Sequence, residues 1–178
     1  MQAIGTAVTP VFVIGVSNRA RSLMQEINFS IEVKELLESC GLPVVDIPGN
    51  DQIQFFGIKT DGALSAVVGI EVYGEYALVR SLAVKQQFRG RGIGRDLIAS
   101  LEDWARRKLV TRLFLLTETA GRFFGYQGYR PIPRSETPQV IEGTSEFSGI
   151  CPGSAELMTK ELIASNEFNS DRDKADAS

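Results

Sequence analysis

The stretch from Tyr76 to Thr117 constrains the fold more than any other part of the chain. Tyr76 to Val84 reads as an apolar strand, Gln87 to Arg95 as a loop dense in Arg and Gly, and Leu113 to Leu116 as a fully apolar strand. Between loop and last strand, Gly92 to Lys108 repeats Ile93, Leu97, Ile98, Leu101, Trp104 and Ala105 at helical spacing, with Arg95, Asp96, Glu102, Asp103, Arg106 and Arg107 off that face. A strand, a crossover helix and a buried strand make a right-handed parallel βαβ unit at the centre of a sheet.

The residues before this unit predict antiparallel neighbours for it. Ile53 to Lys59 and Ala63 to Tyr73 flank Asp61-Gly62, the signature of a hairpin, and Tyr76 to Val84 completes a meander. Ser30 to Cys40 is a short amphipathic helix stopped by Gly41. Either Pro10 to Val16 or the stretch around Met24 supplies the first strand. Later, Ala120 to Gln127 reads as a short helix ended at Gly128, and Tyr129 to Ile132 and Ala155 to Leu162 as the last strands. The class is therefore α+β. At 178 residues the chain fits one domain, placed at 24–163. Residues 1–23 form an N-terminal extension, and 164–178 a tail too poor in large apolar groups to pack, expected to be disordered.

Composition excludes much chemistry. With no histidine, Ser/His/Asp and Cys/His nucleophilic machinery and His-containing zinc sites are ruled out. Two cysteines, Cys40 and Cys151, cannot form a disulfide framework and suit a reducing cytosol. A net charge of −3 gives no global attraction to nucleic acid or anionic lipid. Ala3 to Val16 lacks the charge order of a secretory signal, and no run approaches the roughly 20 apolar residues of a membrane span. The expectation is a soluble cytoplasmic protein with no nucleic-acid or membrane partner.

The loop Arg89-Gly90-Arg91-Gly92-Ile93-Gly94-Arg95 predicts an anion site. Glycines let backbone N–H groups approach a ligand, and a helix start leaves donors unpaired at its positive dipole end. A pyrophosphate would satisfy them, with arginines adding charge. The Walker pattern needs Gly-Lys-Ser/Thr, which is missing, and the dinucleotide fingerprint needs glycine where Arg95 stands.

Arg89, Gly92 and Gly94, read as R/Q-x-x-G-x-G/A, resemble the acetyl-CoA signature of the GNAT superfamily of N-acetyltransferases. The likeness extends to Ser81-Leu82-Ala83-Val84 before the loop and to FFGYQGYRP at 123–131. It implies a GNAT fold, a mixed sheet of about seven strands with about four helices, and acetyl-CoA as cosubstrate with no metal. Pantetheine would lie along Leu82, Ala83 and Val84, near Phe124, in a gap between strands. Within the superfamily, RSLAV at 80–84 is similar to N-acetylglutamate synthases. RSLAV together with CGLP at 40–43, FFGYQGYRP and CPGSA at 151–155 looks like the arsenic-resistance branch. That implies a small amino-acid-like amine acceptor, glutamate-like or an arsenical or phosphinic analogue.

Acetyl transfer needs a neutral amine, a donor to the developing oxyanion and an exit for the thiolate. An alkyl amine has a pKa of about 10.4, so a carboxylate should take its proton, and Glu71 and Glu118 are the candidates. By resemblance, the Val84 N–H serves the oxyanion. Many family members place a Tyr where this chain has Phe124, so the usual general acid is missing. Arg80, amid Ala77, Leu78, Val79, Leu82 and Ala83, needs an anion; the RSLAV resemblance implies the carboxylate of an amino-acid-like acceptor, with an internal Asp or Glu as the alternative. Thr117 and Cys151 are taken with Arg80 as acceptor-binding candidates, Cys151 with packing as its alternative role. The connection Pro131 to Ser154 is long enough for a lid or a homodimer contact. A CoA-binding sensor and a protein acetyltransferase stay open as alternatives.

Overall fold

The hairpin turn is the first point at which residue chemistry dictates backbone. In the computed structural model, which describes residues 24–162, Asp61 (φ 53°) and Gly62 (φ 80°) both adopt positive φ. That is the backbone that matches the right-handed twist of the strands they join, β2 (Ile53–Thr60) and β3 (Ala63–Tyr73). β1 (Met24–Ile27) pairs antiparallel with β2, so the stretch around Met24 is a strand, the first among the described residues. The expectations for residues 1–23, including Pro10 to Val16, and for the tail lie outside the described residues.

β4 (Tyr76–Val84) pairs antiparallel with β3 and parallel with β5 (Arg112–Thr117). The mixed sheet runs β1-β2-β3-β4-β5-β7-β6, with β6 (Arg130–Pro131) outermost and β7 (Glu156–Glu161) returning between it and β5. This is the α+β architecture and strand number of the GNAT fold.

The helices cover both faces, which explains why β3 and β5 read as continuous apolar runs rather than alternating ones. On one face α2 (Ile93–Arg107) buries Leu97, Ile98, Leu101 and Ala105 against Phe56, Val68, Ile70, Leu113 and Leu115. On the other, α1 (Ile31–Ser39) buries Val33, Leu36 and Leu37 against Phe55, Leu64, Val67 and Ala83. Ser30 caps α1 by accepting a hydrogen bond from the Val33 N–H at 3.4 Å, a contribution of about 1 kcal/mol. Its far end closes with the Leu42 N–H donating to the Leu37 carbonyl across Gly41.

After the short α3 (Gly121–Tyr126), the chain passes β6 and α4 (Gln139–Glu142), then a π-type turn over Glu146–Ile150. This connection is no loose excursion. Ile141 is fully buried and joins Leu78, Phe114 and Leu157 in a third apolar cluster, so the segment is pinned to the sheet beside the open end of β4 and β5.

Candidate active site

The parallel pairing of β4 with β5 covers only Tyr76–Leu78 against Arg112–Phe114, and beyond it the two strands part. A bulge helps to separate them. Val67 pairs with Ala83 and Gly69 with Arg80, so Val68 alone stands opposite Ser81 and Leu82. Ser81 takes φ 55°, a left-handed conformation uncommon for a residue with a side chain. Because the Lys85 N–H donates to the Ser65 carbonyl on β3, the backbone groups of Val84, and of Leu82 before it, point the other way into the gap.

The gap widens into a cavity of about 820 Å³ between β4, β5, α3, the Cys40–Pro43 loop and the 146–152 segment. At its mouth, α2 begins without a side-chain cap. Gly92 sits at the cap position with φ 82°, and the first helical bond is from the Asp96 N–H to the Gly92 carbonyl. The N–H groups of Ile93, Gly94 and Arg95 therefore have no partner within the helix. A β-carbon on Gly94 would lie 3.4 Å from Val84 Cγ2 and 3.6 Å from Phe123 Cζ, so its absence lets the helix start lie close against β4 and α3. Arg89 turns inward, its Nε donating to the Val84 carbonyl at 2.9 Å and its Nη2 lying 3.2 Å from Cys40 Sγ. Arg91 lies over the Phe88 ring and Arg95 pairs with Asp96 at the surface. Gly90 shares the loop at the rim. The cavity thus brings the strand end at 82–84 together with the loop at 89–95, except Arg91, which does not line it.

Phe124 forms part of the wall, only 6% exposed and edge-on to Phe123 and Tyr129. Tyr126 is 74% exposed and its hydroxyl meets the Arg122 guanidinium, away from the cavity. Phe124→Ala removes a ring packed on two others and is expected to destabilise the fold by about 3–5 kcal/mol, measured by urea denaturation. Phe124→Tyr should remain folded, since the wall beside it is open to the cavity.

The inner end differs from the expectation for Arg80. Its side chain is 1% exposed and its guanidinium already has three anions: Asp46 Oδ2 and Glu71 Oε1 at 2.7 and 2.6 Å from Nη1, and Glu146 Oε2 at 2.9 Å from Nε. Nη2 also donates to Asp46 Oδ1 at 2.9 Å. Of the two roles open to Arg80, the internal partner is the one with a geometric basis. Glu71, a candidate base, is corrected likewise. It is buried behind the cavity wall, its carboxylate accepting from Arg80 at 2.6 Å and from the Tyr73 hydroxyl at 2.5 Å, and it does not line the cavity.

Asp46, Glu146 and Cys40 are the residues that sequence reasoning missed. The Glu146–Arg80 contact is close but off the N–H axis, so neither Arg80 Nε nor Glu146 Oε2 completes a hydrogen bond. Burial pushes the Glu146 carboxyl up to about 7 despite Arg80. Burial also raises Asp46, but its hydrogen bonds from Arg80 and Ser145 and the Arg80 charge outweigh this and hold it below the usual range. Cys151 lines the cavity with Sγ 3.6 Å from Glu146 Oε1, and burial beside that carboxyl pushes its thiol up to about 12, which disfavours the thiolate. Glu118 stands exposed at the rim, while Thr117 Oγ1 accepts from the Ala120 N–H and so shapes the turn into α3.

Comparison with known proteins agrees with this geometry. A protein of Chlorobaculum tepidum named as an uncharacterized N-acetyltransferase is 36% identical over 88 residues, 49% of this chain and 56% of that protein. The chain thus spans little more than half the length of its curated relative. N-acetylglutamate synthase from Neisseria gonorrhoeae, solved with coenzyme A and N-acetyl-glutamate, superposes with TM-score 0.64 at 21% identity, over 79% of this chain and 35% of that one. A Mycobacterium tuberculosis protein solved with CoA gives TM-score 0.65 at 19% identity, over 79% and 99% of the two chains. Among the described residues no helix is long and apolar enough to cross a membrane. The acetyltransferase (GNAT) family model matches residues 23–129, the span that holds the splayed strands, the uncapped helix and the aromatic wall, and the chain belongs to that family.

Proposed function

We propose that the chain transfers an acetyl group from acetyl-CoA to the primary amine of a small acceptor. The observation that carries this is the uncapped start of α2 at the mouth of the β4/β5 gap, where three N–H donors meet a cavity of about 820 Å³. The residues present fit that molecule. Ile93, Gly94 and Arg95 N–H groups, with Arg89 and Arg91, suit a pyrophosphate, and Leu82 and Val84 offer backbone groups to the pantetheine amides. Acetyl-CoA would supply an activated acyl carbon and a thiolate leaving group. The Val84 N–H, turned away from β3, would donate to the oxygen that gains charge. Phe124 has no proton to give, and a thiol pKa of about 8.5 lets the thiolate leave without one.

The cavity lining carries Glu118 and Glu146 together with Arg80, whose guanidinium is buried and already paired. This supports an amine drawn in by its own positive charge. A glutamate-like, arsenical or phosphinic acceptor is the second reading, favoured by the RSLAV likeness and by the ligand of the Neisseria enzyme. It requires Arg80 to release one of its carboxylates. A thiol-release screen across spermidine, glutamate, its phosphinic and arsinic analogues and Lys peptides tests both. The expected result is a higher kcat/KM for amines lacking a carboxylate beside the reacting nitrogen. A preference for glutamate selects the second reading, and no release with any amine overturns both.

A further inference from the structure

We infer that Glu146 is the proton acceptor for the incoming amine, positioned by the buried Arg80 guanidinium beside it. The inference rests on the acetyl-transfer reading above and adds the residue that performs its first step. One guanidinium stands among three carboxylates, Asp46 from the α1–β2 loop, Glu71 from β3 and Glu146 from the π-type turn. If all three were ionised, two negative charges would go uncompensated in a poorly solvated place. The structure distributes them unequally. Glu71 is fixed by Arg80 and Tyr73, and Asp46 by Arg80 and Ser145 at 2.7 Å. Of the three carboxylates only Glu146 lines the cavity; its Oε2 lies 2.9 Å from Arg80 Nε without completing a hydrogen bond, and its Oε1 accepts from the Cys151 thiol at 3.6 Å.

The turn that bears Glu146 is also held firmly. Ile141 anchors the segment in the core, the Phe147 N–H donates to Thr144 Oγ1 at 3.3 Å, and the Cys151 N–H donates to the Glu146 carbonyl at 3.0 Å. π-type turns of this kind recur at functional sites. The groups that face the carboxyl are Arg80, Glu71, Asp46 and Cys151, with Glu118 nearer Cys151 at the rim. Its elevated titration near neutral pH, caused first by burial, matches what proton transfer at physiological pH asks of a base.

In the step proposed, an N–H bond of the acceptor ammonium breaks and its proton goes to the Glu146 carboxylate. The freed lone pair forms the C–N bond to the acetyl carbon while the C–S bond breaks, its electron pair leaving on sulfur. The nitrogen's remaining surplus proton passes to that thiolate. Glu146 returns its proton to water, so the balance is ammonium and thioester to amide, thiol and one proton.

Glu146→Gln keeps the shape but cannot take the proton. With whichever of spermidine or glutamate the full chain acetylates faster, kcat is expected to fall by about 100-fold or more. The KM for acetyl-CoA should stay within about two-fold, and the acid limb of the kcat/KM profile near pH 7 should disappear. Glu146→Asp should keep the limb at an intermediate rate. Independently of turnover, an infrared titration of the chain alone should show a carboxyl band titrating between about pH 6 and 8 that Glu146→Gln removes. Activity and acid limb surviving in Glu146→Gln, or no such band in the unsubstituted chain, would overturn the role of Glu146 while leaving acetyl transfer intact. No thiol release from the unsubstituted chain with either amine would instead overturn the transfer reading and this inference with it.

Discussion

Arg80→Met should lower stability by about 3–5 kcal/mol at neutral pH, as much as removing a buried aromatic ring. The reason is what it leaves behind. Asp46, Glu71 and Glu146 stay buried around a thioether that carries no charge and no donor, and removing one partner of a buried ion group exposes the full desolvation penalty of the others. Thermal unfolding should move down by on the order of 10 °C. Acid should reverse part of the loss. In the unsubstituted chain burial raises Glu146 from its ordinary value of 4.5 to about 7, so its contribution to stability is complete below 4.5 and is lost as pH rises through 7. Asp46 is lowered from 3.8 and acts oppositely, contributing above that value and failing as pH drops through its folded pKa. Without Arg80 the Asp46 contribution goes and the carboxylates hold protons more tightly, so the difference between variant and parent should shrink as pH falls from 7 toward 5. A substrate anchor would behave otherwise: unchanged melting and a raised acceptor KM would return Arg80 to the acceptor.

The second large effect concerns cofactor affinity. Gly92→Val should weaken CoA binding by roughly 100-fold in a protein that still folds. Gly92 occupies φ 82°, where a side chain costs about 1–2 kcal/mol and a β-branched one more. Relief of that strain would rotate the peptides that present the Ile93 and Gly94 N–H groups, and each charge-assisted bond lost is worth about 1.5–3 kcal/mol. The loop is exposed, so the fold should tolerate the change. Calorimetric titration with CoA measures it, and an unchanged affinity in a folded variant would show that the start of α2 holds no pyrophosphate.

What could be read from sequence divides along the cavity. The cofactor half occupies one contiguous stretch, and its strand, glycines and amphipathic helix are each local patterns, so Tyr76 to Lys108 was legible nearly to the residue. The Asp61-Gly62 hairpin and the Gly41 helix stop were legible for the same reason. The acceptor half is gathered from positions 46, 71, 80, 146 and 151, and no local pattern links them. The desolvation argument rightly marked Arg80 as needing an anion. It could not choose between an anion from outside and one from within, because that depends on long-range packing of the 139–155 segment. Asp46 lies in an irregular loop and Glu146 in a stretch without helical or strand periodicity, so neither stood out. Glu71 was conspicuous as a charge in an apolar run, yet its partner across the ladder, not the cavity, accounts for it.

The bulge at Ser81 means that β4 carries two phases along its length. Up to Arg80 the strand is in one register with β3, and from Ala83 onward it is in another, with Ser81 as the inserted beat between them. Buried ion chemistry is written in the first phase and backbone presentation to the gap in the second. Losing a single codon at Ser81 would merge the two phases into one unbroken ladder, with Arg80 still opposite Gly69 and Ala83 still opposite Val67, and would remove the bulge that helps β4 to part from β5.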